Sequence, residues 1–312
     1  MSIQYGVKIA GIGSYLPDAV VTNEMLETWY GANAKWTEGH LGIKERRWTA
    51  TDELTSDLAC RAALKAIKDS GLSSNEIDLM IVATSSPDRI SPSTACIVAE
   101  KLQISCPSFD INAVCTGFLY GLNIATPLIQ AGAYKNILLI ASETYSKITD
   151  RQSRDCVYFG DGAGAVVLSK SEEGWISTKI YSDGKGKEAF TTAIGGKFKM
   201  NGKAVFETGI TNLPLAIEDI LETNNITVDK VTYLVPHQPG IKMLQVVADK
   251  VGLPFEKVVT VMDKYANTAA ASIPIALDTL IKSGKLVDGD NILLASIGSG
   301  WTWGAGLVNY RK

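Results

Sequence analysis

The feature of this 312-residue chain that most constrains its fold is an internal repeat. Residues 136–142 read NILLIAS and residues 291–296 read NILLAS, which gives an offset of 155 positions. Each copy follows a turn that contains glycine and precedes a glycine-rich segment, at residues 162–166 and 304–308 respectively. A chain that repeats itself at this distance is predicted to fold as two related halves.

The two halves also share an earlier apolar segment. Residues 77–83 and residues 229–235 each combine an aspartate near their start with a run of apolar residues. Such runs are typical of strands that are buried on both faces, with helices between them. The sequence therefore predicts a layered α/β protein with halves at residues 1–170 and 171–312. The boundary lies in the polar, turn-like segment 169–174.

The repeat also places two polar residues at predicted helix starts. Counting back 17 positions from Gly132 and from Gly284 reaches Cys115 and Asn267, and a stretch with helical apolar spacing follows each of them. The free N–H groups and the dipole at a helix N-terminus lower the pKa of a thiol. We therefore expect Cys115, as a thiolate, and Asn267 to occupy equivalent positions of the two halves and to face one cleft.

A histidine follows a predicted strand in the second half. His237 comes directly after the apolar residues 231–235, and Pro236 is predicted to end that strand. In open α/β sheets, ligands bind at the C-terminal ends of strands. The stiff loop 236–240 (PHQPG) would hold the imidazole in place.

Each of these residues also has an ordinary structural interpretation. A lone cysteine is more often a small buried apolar residue than a nucleophile. That interpretation is kept for Cys60, Cys96, Cys106 and Cys156. A lone histidine is more often a structural hydrogen-bonding group, and His40 is read in that way. From position alone, Cys115 and His237 remain open between the two interpretations.

Composition and charge exclude several classes of function. The 30 basic and 33 acidic residues form no basic stripe, which argues against a nucleic-acid partner. No apolar run approaches the roughly 18 residues of a membrane helix. The five cysteines include no C-x-x-C pair and the two histidines form no ligand motif, so neither a disulfide framework nor a metal site is expected. The first five residues lack the regions of a signal peptide, which predicts a cytoplasmic protein.

Three sequence blocks together resemble the active-site blocks of the β-ketoacyl-acyl-carrier-protein synthase III family. They are residues 114–118 (VCTGF), His237-Gln238 and residues 267–274 (NTAAASIP). Further blocks extend the resemblance along nearly the whole chain, at residues 11–17, 42–47, 159–165 and 302–304. The family belongs to the thiolase superfamily. The resemblance therefore implies a thiolase-like five-layer α-β-α-β-α fold made of two pseudo-symmetric halves, in agreement with the repeat.

The resemblance also implies roles for the site residues. Cys115 would take the acyl group of an acyl-CoA. The backbone N–H groups of Cys115 and Ser299 would form the oxyanion hole. His237 and Asn267 would donate hydrogen bonds to the carbonyl of a malonyl thioester, carried on acyl carrier protein or on CoA, as it decarboxylates. Ser299 stands where thiolases have a second cysteine. No metal or other cofactor is implied, and the expected assembly is a homodimer.

Two departures from the family pattern follow the histidine. Members that use malonyl-acyl carrier protein usually have H-Q-A-N-x-R there, whereas this chain has HQPGIK. Gly240 replaces the asparagine and removes a side chain expected beside the pantetheine arm. Lys242 replaces the arginine, which keeps the charge but loses the bidentate fork. Both positions are predicted to contact substrate.

Other candidate substrate-binding residues follow from the same resemblance. Trp36 matches the aromatic residue that stacks on the adenine of CoA, while His40 stands where the family often has arginine. Arg151 or Arg154 is a candidate for a second basic contact to the adenine. Ser91 occupies the position of a bulky phenylalanine in acetyl-preferring members, which predicts a longer or functionalised primer acyl group. That segment comes from the partner subunit in family dimers.

Two other functions remain as alternatives. The altered loop after His237 leaves room for a non-decarboxylating acyltransferase that passes the acyl group from Cys115 to a hydroxyl or an amine. The other alternative is a non-catalytic dimerisation partner of another synthase, although the complete set of Cys115, His237 and Asn267 argues against that role.

Overall fold

The computed structural model describes residues 6–311, and the segment 1–5 on which the signal-peptide expectation rests lies outside them. The strands, in chain order, are β1 (Gly6–Tyr15), β2 (Val20–Thr22), β3 (Glu45–Arg47), β4 (Leu79–Ala83), β5 (Ser108–Ile111), β6 (Asn136–Glu143), β7 (Gly162–Ser171), β8 (Trp175–Ser182), β9 (Phe190–Thr192), β10 (Phe198–Met200), β11 (Tyr233–Pro236), β12 (Asn291–Gly298) and β13 (Thr302–Asn309). The helices are α1 (Asn23–Tyr30), α2 (Ala34–Leu41), α3 (Thr55–Ser70), α4 (Thr94–Leu102), α5 (Gly117–Gln130), α6 (Tyr145–Ile148), α7 (Gly202–Thr223), α8 (Ile241–Val251), α9 (Met262–Tyr265) and α10 (Ser272–Lys282). Of these helices, none has the length and apolarity needed to cross a lipid bilayer.

Two mixed sheets repeat one pattern of strands. The first has the order β1-β7-β6-β4-β5, and the second has the order β11-β12-β13-β8. One copy of the repeated sequence forms the middle of each pattern. In the first sheet, β6 pairs in parallel with the apolar strand β4 and antiparallel with the glycine-rich strand β7. In the second sheet, β12 pairs in the same way with β11 and β13. The chain passes from the first sheet to the second between Ser171 and Trp175, next to the boundary expected at residue 170.

Strand β11 differs in its bounds from the strand predicted at 231–235. It begins only at Tyr233, because residues 228–230 form a short 3₁₀ turn. Its last residue is Pro236, which pairs with Ala295 of β12 instead of lying beyond the strand. The missing N–H of proline is tolerated because this residue ends the strand.

Three large clusters of buried side chains hold five layers of helices and sheets together. Alternate residues of one strand point to opposite faces of the sheet, so Leu139 belongs to the central core while Leu138 and Ile140 face the outer one. The central core joins helices α5 and α10 to the inner faces of both sheets. Helices α3 and α4 cover the outer face of the first sheet, and α7 and α8 cover that of the second. The expected five-layer α-β-α-β-α fold is confirmed.

The central layer determines where a site can form. Short 3₁₀ turns at Val114–Thr116 and Ala269–Ala271 lead into α5 and α10 respectively, and the two turns touch each other. The starts of the two middle helices therefore meet where the two halves join.

Because β7 packs closely against the central layer, we expect one added methyl group on this strand to lower the stability of the fold. A Cβ added at Gly164 would lie 2.7 Å from Cβ of Pro274 and 3.0 Å from the backbone N of Ile275 in α10. Because such overpacking forces backbone shifts, Gly164→Ala should lower the free energy of unfolding by about 1–3 kcal/mol. Urea denaturation would measure it. As a control, Gly184→Ala meets no atom within 4 Å and should be close to neutral. Equal midpoints for the two variants would contradict the prediction.

Candidate active site

Cys115 lies in the tight turn that precedes α5. Its neighbour Val114 has a backbone φ of 49°, in the left-handed region that β-branched residues rarely adopt. The second half of the chain fixes this turn from the other side, because the hydroxyl of Ser296 donates to the carbonyl of Cys115 over 2.9 Å. Backbone strain of this kind is often found at functional sites. Cys115 itself is buried but reaches the wall of a cavity.

The second half contains the same turn, displaced by 155 positions. Ala269 has a φ of 46°, like Val114. The amide oxygen of Asn112 accepts from the N–H of Val114, and that of Asn267 accepts from the N–H of Ala269. The true counterpart of Asn267 is therefore Asn112, so the predicted equivalence of Cys115 and Asn267 is wrong. Counting back from the glycines gave the wrong register because α5 has 14 residues and α10 has 11.

The local hydrogen bonds determine which end of the Asn267 amide enters the cavity. Its Oδ1 accepts from the N–H of Ala269 at 2.8 Å. Its backbone N–H donates to the carbonyl of Tyr158, and its carbonyl accepts from the N–H of Gly160. Because the side-chain oxygen is occupied, the Nδ2 amino group is the end that presents donors to the cavity.

His237 is fixed at the end of β11 by the residue that follows it. The His237 N–H donates to the carbonyl of Ala295 at 2.8 Å. Buried Gln238 donates to the carbonyls of Pro236 and Val259 and accepts from the N–H of Val261. On the ring, Nδ1 lies 2.7 Å from the hydroxyl of Ser272, the first residue of α10. The ring is thereby held in one orientation.

Burial keeps both reactive side chains of the site neutral. Desolvation lowers the pKa of His237 to about 3. Desolvation raises the pKa of the Cys115 thiol well above its ordinary value, and the Glu143 carboxylate raises it further. The expectation of a lowered thiol pKa is therefore wrong, because loss of hydration outweighs the helix N-terminus at this buried sulfur. Both shifts favour the uncharged forms of the two side chains, a thiol and a neutral imidazole.

Glu143 lies behind Cys115 as a second titratable group. Its fully buried carboxylate accepts hydrogen bonds from the N–H and hydroxyl groups of both Ser85 and Ser86. Burial raises its pKa to about 7 despite these donors. The Ser85 hydroxyl also lies 2.9 Å from the hydroxyl of Tyr145, which belongs to the same apolar cluster as Cys115. Through Ser85, Glu143 therefore links the loop after β4 to Tyr145 and to the apolar cluster that contains Cys115.

One cavity of about 210 Å³ brings the predicted catalytic residues together. Cys115, His237 and Asn267 line it, and so does Ser299 from the loop after β12. No backbone carbonyl between residues 6 and 311 accepts from the N–H of Ser299. The remaining wall is mainly apolar, formed by Val114, Leu41, Tyr158, Phe159, Phe190, Met200, Val205, Phe206, Met243, Ile297 and Trp301.

The candidate substrate-binding residues divide into two groups. Trp36, Gly240 and Lys242 line the same cavity as Cys115. Trp36 stacks on His40, with ring centroids 5.0 Å apart and an interplanar angle of 15°. Trp36 and His40 provide an aromatic surface at one side of the cavity, and Lys242 provides a positive charge there.

The other candidates lie outside that cavity. Arg151 stacks on Trp48 in a different groove, with 5.0 Å between its guanidinium carbon and the ring centre. Arg154 lines a separate surface pocket, to which Trp36 also contributes. Ser91 is exposed on the loop between β4 and α4, away from the cavity of its own chain.

Some residues that line the cavity could not be predicted from sequence patterns. Phe190 and Met200 come from the β9–β10 hairpin, whose rings Phe190 and Phe198 stack 5.4 Å apart. Nothing in the repeat indicated this hairpin, because the repeated sequence blocks do not include residues 190–200. Ser272 lies inside the block 267–274, but only its contact with the histidine shows its importance. Within residues 6–311, no group of His, Cys, Asp or Glu side chains has the arrangement of a metal site.

Comparisons with known proteins agree with this geometry. The model of 3-oxoacyl-[acyl-carrier-protein] synthase III matches residues 109–184, and the model of its C-terminal part matches residues 221–310. The β-ketoacyl-[acyl-carrier-protein] synthase III of Neisseria meningitidis is 44% identical, over 99% of this chain and 100% of its own length. That of Thiobacillus denitrificans is 40% identical, over 97% and 99% respectively.

Solved structures show the same similarity. The 3-oxoacyl-[acyl-carrier-protein] synthase III of Aquifex aeolicus superimposes with a TM-score of 0.95 at 40% identity, covering 98% of this chain and 100% of that one. The priming β-ketosynthase of the R1128 polyketide pathway gives a TM-score of 0.93 at 28% identity, with 99% and 98% covered. These relatives are named as β-ketoacyl synthases, which does not favour the two alternative functions.

The neutral state of His237 predicts its behaviour in a pH titration by NMR. The chain has two histidines, so His40→Gln leaves His237 as the only histidine of an untagged protein. With a pKa of about 3, the imidazole is uncharged throughout the range above that value. Its ring resonances should therefore stay constant between pH 8 and pH 5. A titration with a midpoint near the ordinary value of about 6.5 would contradict the prediction.

Proposed function

Because the chain belongs to the 3-oxoacyl-[acyl-carrier-protein] synthase III family, we propose that it is an acyltransferase that condenses an acyl group with a malonyl thioester. The acyl group comes from acyl-CoA, and the product is a 3-oxoacyl thioester. The observation that supports this proposal is that Cys115, His237 and Asn267, distant in sequence, line one cavity. The division into halves at residue 170 belongs to the same proposal and is supported by the two separate sheets.

The first step transfers the acyl group to Cys115. The sulfur attacks the thioester carbon, the bond from that carbon to the CoA sulfur breaks, and the thiol proton ends on the departing CoA. The N–H groups of Cys115 and Ser299 are the donors proposed for the tetrahedral oxyanion. The raised pKa of Cys115 means that the proton leaves as the new bond forms, and that a thiolate does not accumulate beforehand.

The second step condenses the bound acyl group with a malonyl thioester. Loss of CO₂ leaves an enolate, whose oxygen needs hydrogen-bond donors in a site with little water. Asn267 presents its Nδ2 group, because its oxygen is occupied by Ala269. His237 is neutral, so it donates without protonating the carbanion that must attack. The carbanion attacks the acyl carbon, the bond from that carbon to the Cys115 sulfur breaks, and the departing thiolate takes a proton from solvent.

The outer part of the cavity is the proposed entry for the CoA or carrier-protein arm. Trp36 and Lys242 line its wall and can provide an aromatic surface and a positive charge for a phosphorylated ligand. His40 already covers one face of the Trp36 indole, which leaves the other face for an adenine. Arg154 shares a pocket with Trp36 and is the better supported of the two arginines. Gly240 leaves open the space where an asparagine side chain would narrow the entry.

A homodimer is part of the proposal. Strand β5 lies at the edge of the first sheet, where its outer hydrogen-bonding groups can pair with another strand. Phe109 on this strand and Ile90 on the loop between β4 and α4 are exposed apolar residues. Ser91 lies beside Ile90, so a partner bound at this edge would cover it and bring it towards the partner's own cavity.

The nucleophile is tested by intact-protein mass spectrometry after exposure to a panel of acyl-CoAs. The wild-type protein should gain one acyl mass, and Cys115→Ala should gain none, because the sulfur forms the thioester bond. Cys156→Ala removes an equally buried thiol outside the cavity and should still be acylated. An adduct on Cys115→Ala, or no adduct on the wild type with any donor, would contradict the assignment of Cys115 as the nucleophile.

The donor role of Asn267 is tested by an isosteric change. Asn267→Asp keeps the oxygen that accepts from Ala269 but replaces the amino group by an acceptor. Condensation of a preloaded acyl-enzyme with a malonyl thioester should slow by about 100-fold or more, as for other lost oxyanion donors, while acylation of Cys115 continues. Asn224→Asp changes a partly buried amide that donates to Ser177 and Ile220 and should leave both steps unchanged. Wild-type condensation by Asn267→Asp would refute the role.

A further inference from the structure

Ser272 is buried next to His237 and has no role in the function proposed above. Of the described residues, two place polar groups on the side of the imidazole where Nδ1 lies. The hydroxyl of Ser272 lies 2.7 Å from Nδ1, and the backbone of Ala269 also hydrogen-bonds the ring. The same hydroxyl lies 2.8 Å from the carbonyl oxygen of Ala269. All three residues are almost entirely shielded from solvent, so water does not replace either partner.

These distances allow two arrangements of protons. A hydroxyl has one proton to donate, whereas a carbonyl oxygen only accepts. In the first arrangement Nδ1 carries the ring proton and donates to Ser272, whose hydroxyl donates to Ala269. In the second the hydroxyl donates to Nδ1, and the ring proton is on Nε2. The position of the hydroxyl hydrogen therefore determines which ring nitrogen is protonated.

The two arrangements have opposite consequences in the cavity. With the proton on Nδ1, Nε2 is an acceptor and cannot stabilise a developing negative charge. With the proton on Nε2, a neutral His237 is a donor, as the condensation step requires. Of the two polar groups on the Nδ1 side of the ring, Ser272 alone is able to donate to that nitrogen.

We propose that Ser272 is the positioning residue that keeps His237 protonated on Nε2, by donating its hydroxyl hydrogen to Nδ1. This inference rests on the proposed function, because the donor role of His237 is what requires that tautomer. The carbonyl of Ala269 on its own would hold the proton on Nδ1. Removing the hydroxyl should therefore change the tautomer of His237 without changing its charge or its place in the fold.

The test is ¹⁵N NMR of histidine-labelled free enzyme in the His40→Gln background, where His237 gives the only histidine signals. The coupling pattern between the ring nitrogens and ring protons shows which nitrogen is protonated. We expect Nε2 to be protonated when Ser272 is present and Nδ1 to be protonated in Ser272→Ala. Ser142→Ala is the matched control, because Ser142 is another buried serine that donates to a carbonyl, that of Thr55. It should keep the proton on Nε2.

Kinetics of the separate steps provides the second measurement. Ser272→Ala should acylate Cys115 at the wild-type rate but condense the acyl-enzyme about 100-fold more slowly, the effect of one lost oxyanion donor. Should Ser272→Ala fail to fold, Ser272→Cys keeps the volume with a weaker donor and should give a partial loss.

A wild-type spectrum with the proton on Nδ1, or the same tautomer in wild type and Ser272→Ala, would overturn the proposal. The spectra are recorded without substrate, so they decide the role of Ser272 even if the acylation experiment were to reject Cys115 as the nucleophile.

Discussion

The shared core of α5 and α10 in one central layer is the constraint on which the rest of the structure depends. The two helices come from different halves of the chain and share a single apolar core with the inner faces of both sheets. The start of α5 is tightly packed near the site, where a Cβ added at Gly117 would lie 3.0 Å from the Cβ of Ala83 in β4 and 3.4 Å from that of Ala270 in the turn before α10. Small residues at this point let the turns before the two helices touch. The thiol and the amide are then close together.

Burial at this junction also determines the electrostatics of the site. A sulfur at a helix start in open water would have a lowered pKa, but here the loss of hydration and the charge of Glu143 act in the opposite direction. The same burial lowers the pKa of His237 to about 3. The site therefore works with neutral groups and with hydrogen bonds whose direction is fixed by neighbouring atoms. Gln238 and Ser272 contribute through such neighbouring contacts.

The repeat alone was enough to predict both sheets and the meeting of the two halves, because strand periodicity and glycine turns are local signals. The repeat did not show which residue of the second half is equivalent to Cys115. A difference of three residues in helix length shifted the apparent partner of Cys115 from Ala270 to Asn267. The pKa of Cys115 depends on residues far away in the sequence, such as Glu143. The position of the β9–β10 hairpin at the cavity also depends on distant residues, because Phe190 packs against Phe159 and its carbonyl accepts from the hydroxyl of Ser299. Arg151 illustrates the same limit, since its stacking on Trp48 depends on the path of two separate loops.

The turns at Asn112 and Asn267 have the same backbone geometry in two different surroundings. In both, the amide oxygen holds the strained residue two positions later. Asn112 is exposed, whereas Asn267 is buried against the cavity. The donor role proposed for Asn267 therefore needs no change in the backbone of the turn. The two asparagines differ in their surroundings, because one side chain lies in solvent while the other lies at the wall of the cavity.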